Sequence, residues 1–168
     1  MDNVPFAMKG VHSKNSVMVV PFRNVNGERY VGIIKEKRPL FYGDKWLAAF
    51  PAGKIEDNQT PEDAARLESI QEGGLSFETL TPVGVEDMPF LHICNEQIFL
   101  FKAEVADEMQ QQELEAGEWI DSKITWLPWR TFKRRIRRQQ KDGTPVLSET
   151  PMMGASLMAA NKMIVLGF

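Results

Sequence analysis

Apolar and polar residues alternate along several short runs of this chain, as they do in strands that bury one face. Two of these runs are joined by Asn26-Gly27, the strongest short signal for a tight hairpin. The predicted strands cover residues 16–23, 28–37, 95–105 and 123–127, and residues 78–86 form either a strand or a loop.

A period close to 3.6 residues marks the segment that follows Thr60-Pro61. Thr60 is suited to cap a helix, Pro61 suits its first position, and Asp63 can reach back toward the cap. Gly73-Gly74 ends the segment, because glycine adopts the left-handed cap conformation at little cost. We therefore predict a helix over residues 61–72. Its predicted apolar stripe contains Ala64, Leu67 and either Ile70 or Gln71.

Two further helices are predicted in the second half of the chain. Residues 128–140 place Trp129, Phe132 and Ile136 on an inward side. The outward side contains Lys133, Arg134, Arg137, Arg138 and Lys141. Thr150-Pro151 repeats the earlier cap signal and opens a last helix, whose predicted stripe contains Met153, Leu157, Ala160 and Ile164. Together these elements predict an α/β (α+β) fold, with a mixed sheet between helices.

Length and composition are those of an ordinary globular protein. The 168 residues suffice for a full core, so we expect a single domain over residues 1–168, with residues 1–15 as an irregular arm. A net charge of -3 gives no global attraction to nucleic acid or to a membrane. No apolar run approaches the roughly 20 residues that span a bilayer, and the first residues lack a signal-peptide pattern. Cys94 has no second cysteine to pair with, so a reducing, cytoplasmic location is expected.

Two carboxylates and an amide lie one turn apart on the first predicted helix. Glu68, Gln71 and Glu72 occupy positions i, i+3 and i+4, so their side chains share a face. The loop that contains Gly53 offers backbone carbonyl oxygens nearby. Hard divalent cations prefer oxygen ligands of this kind. The pattern predicts a cation site, and solvated helix residues are the alternative for both glutamates.

The stretch from Phe50 to Leu75 resembles the Nudix box, G-x5-E-x7-R-E-U-x-E-E-x-G-U, where U is a bulky aliphatic residue. The resemblance covers the whole box. The matching residues are Gly53, Glu68, Glu72, Gly74 and Leu75. The departures are Gln59 for a glutamate, Leu67 for the arginine, Ser69 for the first U and Gln71 for a glutamate. Arg66 lies one residue before the arginine position and points about 100° away from it.

Flanking residues resemble the ADP-ribose pyrophosphatase branch of this family. They are Glu36-Lys37-Arg38-Pro39, Trp46, Phe50-Pro51-Ala52-Gly53 and Pro89. The resemblance implies a Nudix-type α/β/α sandwich with a mixed sheet. It also implies a hydrolase that uses Mg²⁺ or Mn²⁺ to cleave a nucleoside diphosphate linked to another moiety, such as ADP-ribose. The implied partners are a nucleotide-sugar-type small molecule and a second copy of the chain in a homodimer.

Roles for individual residues follow from the resemblance and from their chemistry. The implied metal ligands are the Ala52 carbonyl, Glu68, Gln71 and Glu72, and Glu56 in the box loop is a further candidate. The implied catalytic residues are Glu72 and a general base from a late acidic loop that also holds Glu113, either Glu115 or Glu118. The candidate substrate contacts are Lys37 and Arg38 for phosphate and Trp46 for a base. Solvation is the equal alternative for the two cations, and burial in the core is the more frequent explanation for Trp46, so we predict that Trp46 lies in the core.

Two other functions stay open. Gln59, Leu67 and Gln71 are compatible with a Nudix-fold module that binds a nucleotide or a partner protein without turnover. The run Arg130–Lys141 carries seven basic residues, which makes an RNA-end hydrolase or binder the second alternative. A solvated helix face is the more frequent explanation of such a run.

Overall fold

The computed structural model describes residues 14–37, 43–87, 96–108, 120–121 and 123–168, which form a seven-stranded mixed sheet and three helices. The strands are β1 (Ser16–Val25), β2 (Glu28–Lys37), β3 (Trp46–Ala49), β4 (Ala52–Lys54), β5 (Leu75–Asp87), β6 (Gln97–Glu108) and β7 (Thr125–Pro128). The helices are α1 (Pro61–Gly73), α2 (Trp129–Asp142) and α3 (Gly154–Val165). Among the described residues, no helix combines the length and the apolar character needed to cross a membrane.

Strand β1 lies inside the sheet. On one side it pairs with β6 in parallel, and on the other it pairs antiparallel with β4 near its start and with β2 near its end. The order along the sheet is β3-β2-β1-β6-β5, and β7 pairs with β2. Because helices cover both faces of β1, its residues 16–22 are buried without alternation. The strands predicted at residues 95–105 and 123–127 correspond to β6 and β7, and residues 78–86 lie within β5.

The hairpin between β1 and β2 turns where the sequence predicts. Asn26 and Gly27 both have positive φ, 50° and 81°. This is the backbone of a tight two-residue hairpin turn, which asparagine and glycine adopt more readily than other residues. The predicted bounds of β2 are confirmed, and β1 continues to Val25.

The helices cover opposite faces of the sheet. Helix α1 packs with one set of alternate side chains, which includes Val17 and Val19 of β1. Helices α2 and α3 pack with the other set, which includes Met18 and Val20. Because alternate residues of a strand point to opposite faces, α1 lies across the sheet from α2 and α3. This is the predicted α/β/α sandwich.

Aromatic rings fill the core beneath α2. Phe132 is fully buried, and its ring centroid lies 5.4 Å from that of Trp129 and 6.0 Å from that of Phe50. The Trp129 ring meets Phe22 edge to face at 5.2 Å. The predicted inward side of this helix is therefore confirmed, with Ile136 as its third buried residue.

The last helix begins later than predicted, so the prediction that Thr150-Pro151 opens it was wrong. Helix α3 begins at Gly154. The preceding segment is bonded to β3 instead: the Ala48 N–H donates to the Pro151 carbonyl and the Met153 N–H donates to the Ala48 carbonyl, each at 2.8 Å. The Pro151 carbonyl therefore accepts a hydrogen bond from β3, whereas in a helix beginning at Pro151 it would accept one from within the helix. The buried residues of α3 are Ser156, Ala159, Ala160 and Met163. Of the predicted stripe, Ala160 is buried, Leu157 and Ile164 are partly buried and pack against the core, and Met153 lies before the helix.

Candidate functional site

Helix α1 has the ends that the sequence predicts. The Asp63 N–H donates to Thr60 Oγ1 at 3.1 Å, and the Thr60 hydroxyl donates to the Asp63 carboxylate at 2.7 Å. Gly74 ends the helix with a φ of 61° and donates its N–H to the Ile70 carbonyl at 3.0 Å. Both ends of the helix that carries the candidate ligands are therefore fixed by local hydrogen bonds.

Small side chains bring α1 close to the sheet. Ala64 and Ala65 pack against Val17 and Val19 of β1. Leu67 is 38% exposed, so the predicted apolar stripe was wrong at this position. The helix turns its smallest residues inward, and this rotation also turns Glu72 inward. The buried residues of α1 are Ala64, Ala65, Ser69 and Glu72.

Glu72 is a buried carboxylate with 3% of its surface exposed. Its Oε2 accepts a 2.8 Å hydrogen bond from the Ala52 N–H, the first residue of β4. Burying an ionised carboxylate without such a partner is costly, and bonds from a donor to a charged acceptor are among the stronger hydrogen bonds in proteins. The Ala52 N–H therefore keeps the Glu72 side chain directed at the start of β4.

Glu68 contacts the same dipeptide from one turn earlier in α1. Its carboxylate lies directly beside the Gly53 Cα, and a Cβ at that position would overlap the carboxylate carbon and both of its oxygens. A larger residue here would have to displace the Glu68 carboxylate, so glycine provides space. Its backbone conformation does not call for glycine, because it lies outside the left-handed region. Glu68 and Glu72 therefore converge on Ala52–Gly53.

A second pair of predicted site residues meets between β2 and β3. Lys37 lies opposite Trp46, and its Nζ is 5.1 Å from the centre of the Trp46 ring, within the range of a cation–π interaction. Trp46 is 38% exposed, so the prediction that it lies in the core was wrong: its strand is the last in the sheet order. Lys37 also forms an ion pair with Asp44, a residue that no sequence motif marked.

The other predicted site residues fall outside the described part of the chain. They are Arg38, Glu115 and Glu118, together with Glu113, Pro89 and Cys94. The roles of Arg38 and of the late-loop glutamates stay predictions.

Known proteins share this architecture. The NUDIX domain family model matches residues 12–146. The chain belongs to the NUDIX family. A crystal structure of an ADP compounds hydrolase has a similar fold, with a TM-score of 0.64 over 91% of this chain and 74% of that chain. The two sequences are 16% identical, so this likeness concerns the fold. No curated protein sequence matches the chain. The family and the fold support a Nudix hydrolase as the class of protein.

Gln59, where the Nudix box has a glutamate, closes the loop before α1. Its Oε1 accepts a 3.0 Å hydrogen bond from the Glu56 N–H, and its own N–H donates to the Glu56 carbonyl at 3.1 Å. An amide oxygen accepts this bond as a carboxylate oxygen does, so the departure leaves the loop intact. The Lys14 ammonium donates a hydrogen bond to the Glu56 carboxylate in an exposed ion pair, which raises the pKa of Lys14. Glu56, a further candidate metal ligand, is thus engaged by a surface lysine.

Ser69 and Leu67 depart from the Nudix box in different ways. The Ser69 hydroxyl donates to the Ala65 carbonyl at 2.8 Å, so this buried polar group is satisfied within α1. Leu67 and Arg66 are both exposed. The position of the family's arginine therefore carries no charge, and no cation at residue 67 orients the glutamates.

Carboxylate oxygens from α1 converge on Ala52–Gly53. Within the described ranges, no three side chains from His, Cys, Asp and Glu come together as a metal-binding group. The two carboxylates beside Ala52–Gly53 are those of Glu68 and Glu72. Mg²⁺ commonly binds proteins through one or two carboxylates and completes its coordination with water and substrate phosphates. Glu68 and Glu72 provide the two carboxylates that such binding uses.

Proposed function

We propose that the protein is a divalent-metal-dependent hydrolase of a nucleoside diphosphate linked to another moiety, with ADP-ribose or a similar nucleotide sugar as its substrate. The convergence of Glu68 and Glu72 on Ala52–Gly53 carries this proposal. Gly53, Glu68 and Glu72 match Nudix-box positions, and the chain belongs to the NUDIX family.

Each residue of the proposed centre has a separate task. Glu68, Glu72 and the Ala52 carbonyl would hold Mg²⁺ or Mn²⁺, with Gln71 as a neutral oxygen donor. When bound, the metal offsets the negative charge of the pyrophosphate and lowers the pKa of water. The Ala52 N–H orients the Glu72 carboxylate. A late-loop glutamate, Glu115 or Glu118, would take the proton of the attacking water.

Lys37, Arg38 and Trp46 are the proposed substrate contacts. The exposed Trp46 ring offers a face for stacking on adenine, and Lys37 lies beside that ring. Lys37 and Arg38 would supply positive charge to the phosphates. The description of the structural neighbour as an ADP compounds hydrolase supports a substrate of this class. By analogy with the branch, we expect a homodimer in the cytoplasm.

The test is ADP-ribose hydrolysis by the purified protein. We expect AMP release that requires Mg²⁺ or Mn²⁺, and we expect Glu72→Gln to lower kcat at least about 100-fold, because a metal ligand loses its charge. Glu78→Gln, the same change at an exposed position of β5, should keep full activity. Metal-independent turnover, full activity of Glu72→Gln, or no product from a panel of nucleoside diphosphate derivatives would contradict the proposal.

Gln71 and Leu67 favour a second candidate, a module that binds a nucleotide without turnover. Gln71 has one formal negative charge fewer than the family pattern, and attraction to a dication falls with each missing carboxylate. Calorimetry that shows ADP-ribose binding without metal, together with no product in the hydrolysis assay, would establish this candidate in place of the hydrolase.

A further inference from the structure

The exposed cations of α2 form a continuous surface that the proposed hydrolysis does not use. We call this surface the basic face. It consists of Arg130, Arg134, Arg137, Arg138 and Lys141, all exposed. The other two cations of the helix turn toward the protein: Lys133 lies 5.5 Å from the centre of the Trp129 ring, and Arg135 donates to the Val146 carbonyl at 2.9 Å.

The basic face is separate from the Glu68–Glu72 centre. Phe132 and Ile136 of α2 pack in the same cluster as Met18 and Val20 of β1. Helix α1 packs in the other cluster, across the sheet. A ligand on the basic face would therefore bind independently of the proposed metal centre, and the inference below does not depend on the proposed function.

No acidic side chain of the described residues forms an ion pair with the basic face. The cations that do pair with carboxylates all lie elsewhere: Lys14, Arg29, Lys35, Lys37, Lys102 and Lys162. The acid of α2, Asp142, accepts hydrogen bonds from the Thr144 side chain and backbone, which lower the pKa of Asp142, and attraction to Arg138 lowers it further. Within the part of the chain that the structure describes, the positive charge of the face is thus left largely uncompensated.

This arrangement costs the folded protein stability. Arg130 and Arg134, Arg134 and Arg138, and Arg137 and Lys141 are like charges at i and i+4, and each such pair destabilises a helix. Arg130 also lies in the first turn, where the helix dipole disfavours a cation. A bound polyanion would convert these repulsions into attractions.

The burial of the apolar side of α2 restricts what kind of partner fits. Trp129, Phe132 and Ile136 are in the core, so the helix cannot insert an apolar side into a membrane or into the groove of another protein. Recognition must come from charge alone. Four of the five cations are arginines, which bind phosphate through two parallel hydrogen bonds. From Arg130 to Lys141 the face extends about 16 Å, which matches about five phosphates of a DNA strand.

We propose that the basic face binds the phosphodiester backbone of a nucleic acid, without reading its sequence. Its cations project from a helix that the core holds rigid, so the backbone that carries them needs little ordering on binding. Contacts to phosphate alone position a nucleic acid and carry no base specificity.

Fluorescence anisotropy with labelled single-stranded RNA and duplex DNA tests this proposal. We expect both to bind the wild-type protein at 50 mM salt. The logarithm of the binding constant should fall linearly with the logarithm of the salt concentration at a slope of about -3 to -4.5, from four or five phosphate contacts at roughly -0.7 to -0.9 each. The polymer that binds more tightly shows whether the phosphodiester backbone belongs to RNA or to DNA. The proposal would be overturned if neither polymer binds, or if polyglutamate binds as tightly as the nucleic acids do.

A charge-matched pair of variants locates the binding. Arg134→Glu/Arg137→Glu should bind at least about tenfold more weakly, with a slope smaller by about 2. The control Arg66→Glu/Lys123→Glu changes the net charge equally at exposed positions outside α2, and its affinity should stay within about twofold. Circular dichroism confirms that both variants are folded. Equal losses in the two variants, or unchanged affinity of the first, would remove the basic face as the binding site.

Discussion

Replacing Gly53 by alanine should lower kcat/KM for the proposed substrate by about 100-fold while leaving the fold intact. A Cβ at this position overlaps the Glu68 carboxylate, which must move away. Displacing a reacting group by about 1 Å can cost about 100-fold in rate. Stability should change little, because the displaced atoms are the far end of a flexible side chain and the Gly53 backbone lies outside the left-handed region. Steady-state kinetics and a thermal melt of the same sample separate the two effects.

Gly154→Ala is the matched control for this substitution. A Cβ at Gly154 meets no atom within 4 Å, and its backbone also lies outside the left-handed region. We therefore expect wild-type kinetics. A Gly53→Ala enzyme with unchanged kcat/KM would show that the position of the Glu68 carboxylate beside Gly53 has no part in catalysis.

Phe132→Ala should destabilise the protein by about 3–5 kcal/mol, the usual cost of emptying a buried aromatic site. Phe132 is fully buried, and its ring lies beside those of Trp129 and Phe50. Phe50 is followed directly by Pro51-Ala52-Gly53, so the same cavity would loosen the support of the proposed centre. For a chain of this size the melting temperature should fall by roughly 10 °C.

Urea unfolding measures this effect, and Val165→Ala provides its control. Val165 lies on α3 and is 82% exposed, so its truncation should change the free energy of unfolding by no more than about 0.5 kcal/mol. A Phe132→Ala protein as stable as Val165→Ala would mean that the aromatic cluster beneath α2 is not a cooperative part of the core.

The features that could be predicted from the sequence are those set by local chemistry. Asn26-Gly27 determines the hairpin turn through its positive φ values. Thr60 and Gly74 determine the ends of α1 through hydrogen bonds to residues three or four positions away. The spacing of Glu68 and Glu72 then placed both carboxylates on one side of that helix.

The features that could not be predicted depend on partners distant in sequence. Residues 150–153 carry a helix-start signal, but their bonds to β3 delay the helix. The sequence predicts Trp46 as a core residue, yet its strand lies at the end of the sheet order. That position is set by how the strands pair, which no local pattern indicates. The hydrogen bond from Ala52 to Glu72 likewise joins residues twenty positions apart, and no local pattern indicates it.

Calorimetric titration with Mn²⁺, in the absence of substrate, is the most direct test of whether Glu68 and Glu72 form a cation site. We expect saturable binding to the wild-type protein and an affinity at least about 100-fold lower in Glu68→Gln/Glu72→Gln, since two charged ligands are neutralised. Glu62→Gln/Glu78→Gln, which removes two exposed charges elsewhere, should bind as the wild type does. Equal Mn²⁺ affinity in wild type and Glu68→Gln/Glu72→Gln would contradict the proposed metal centre.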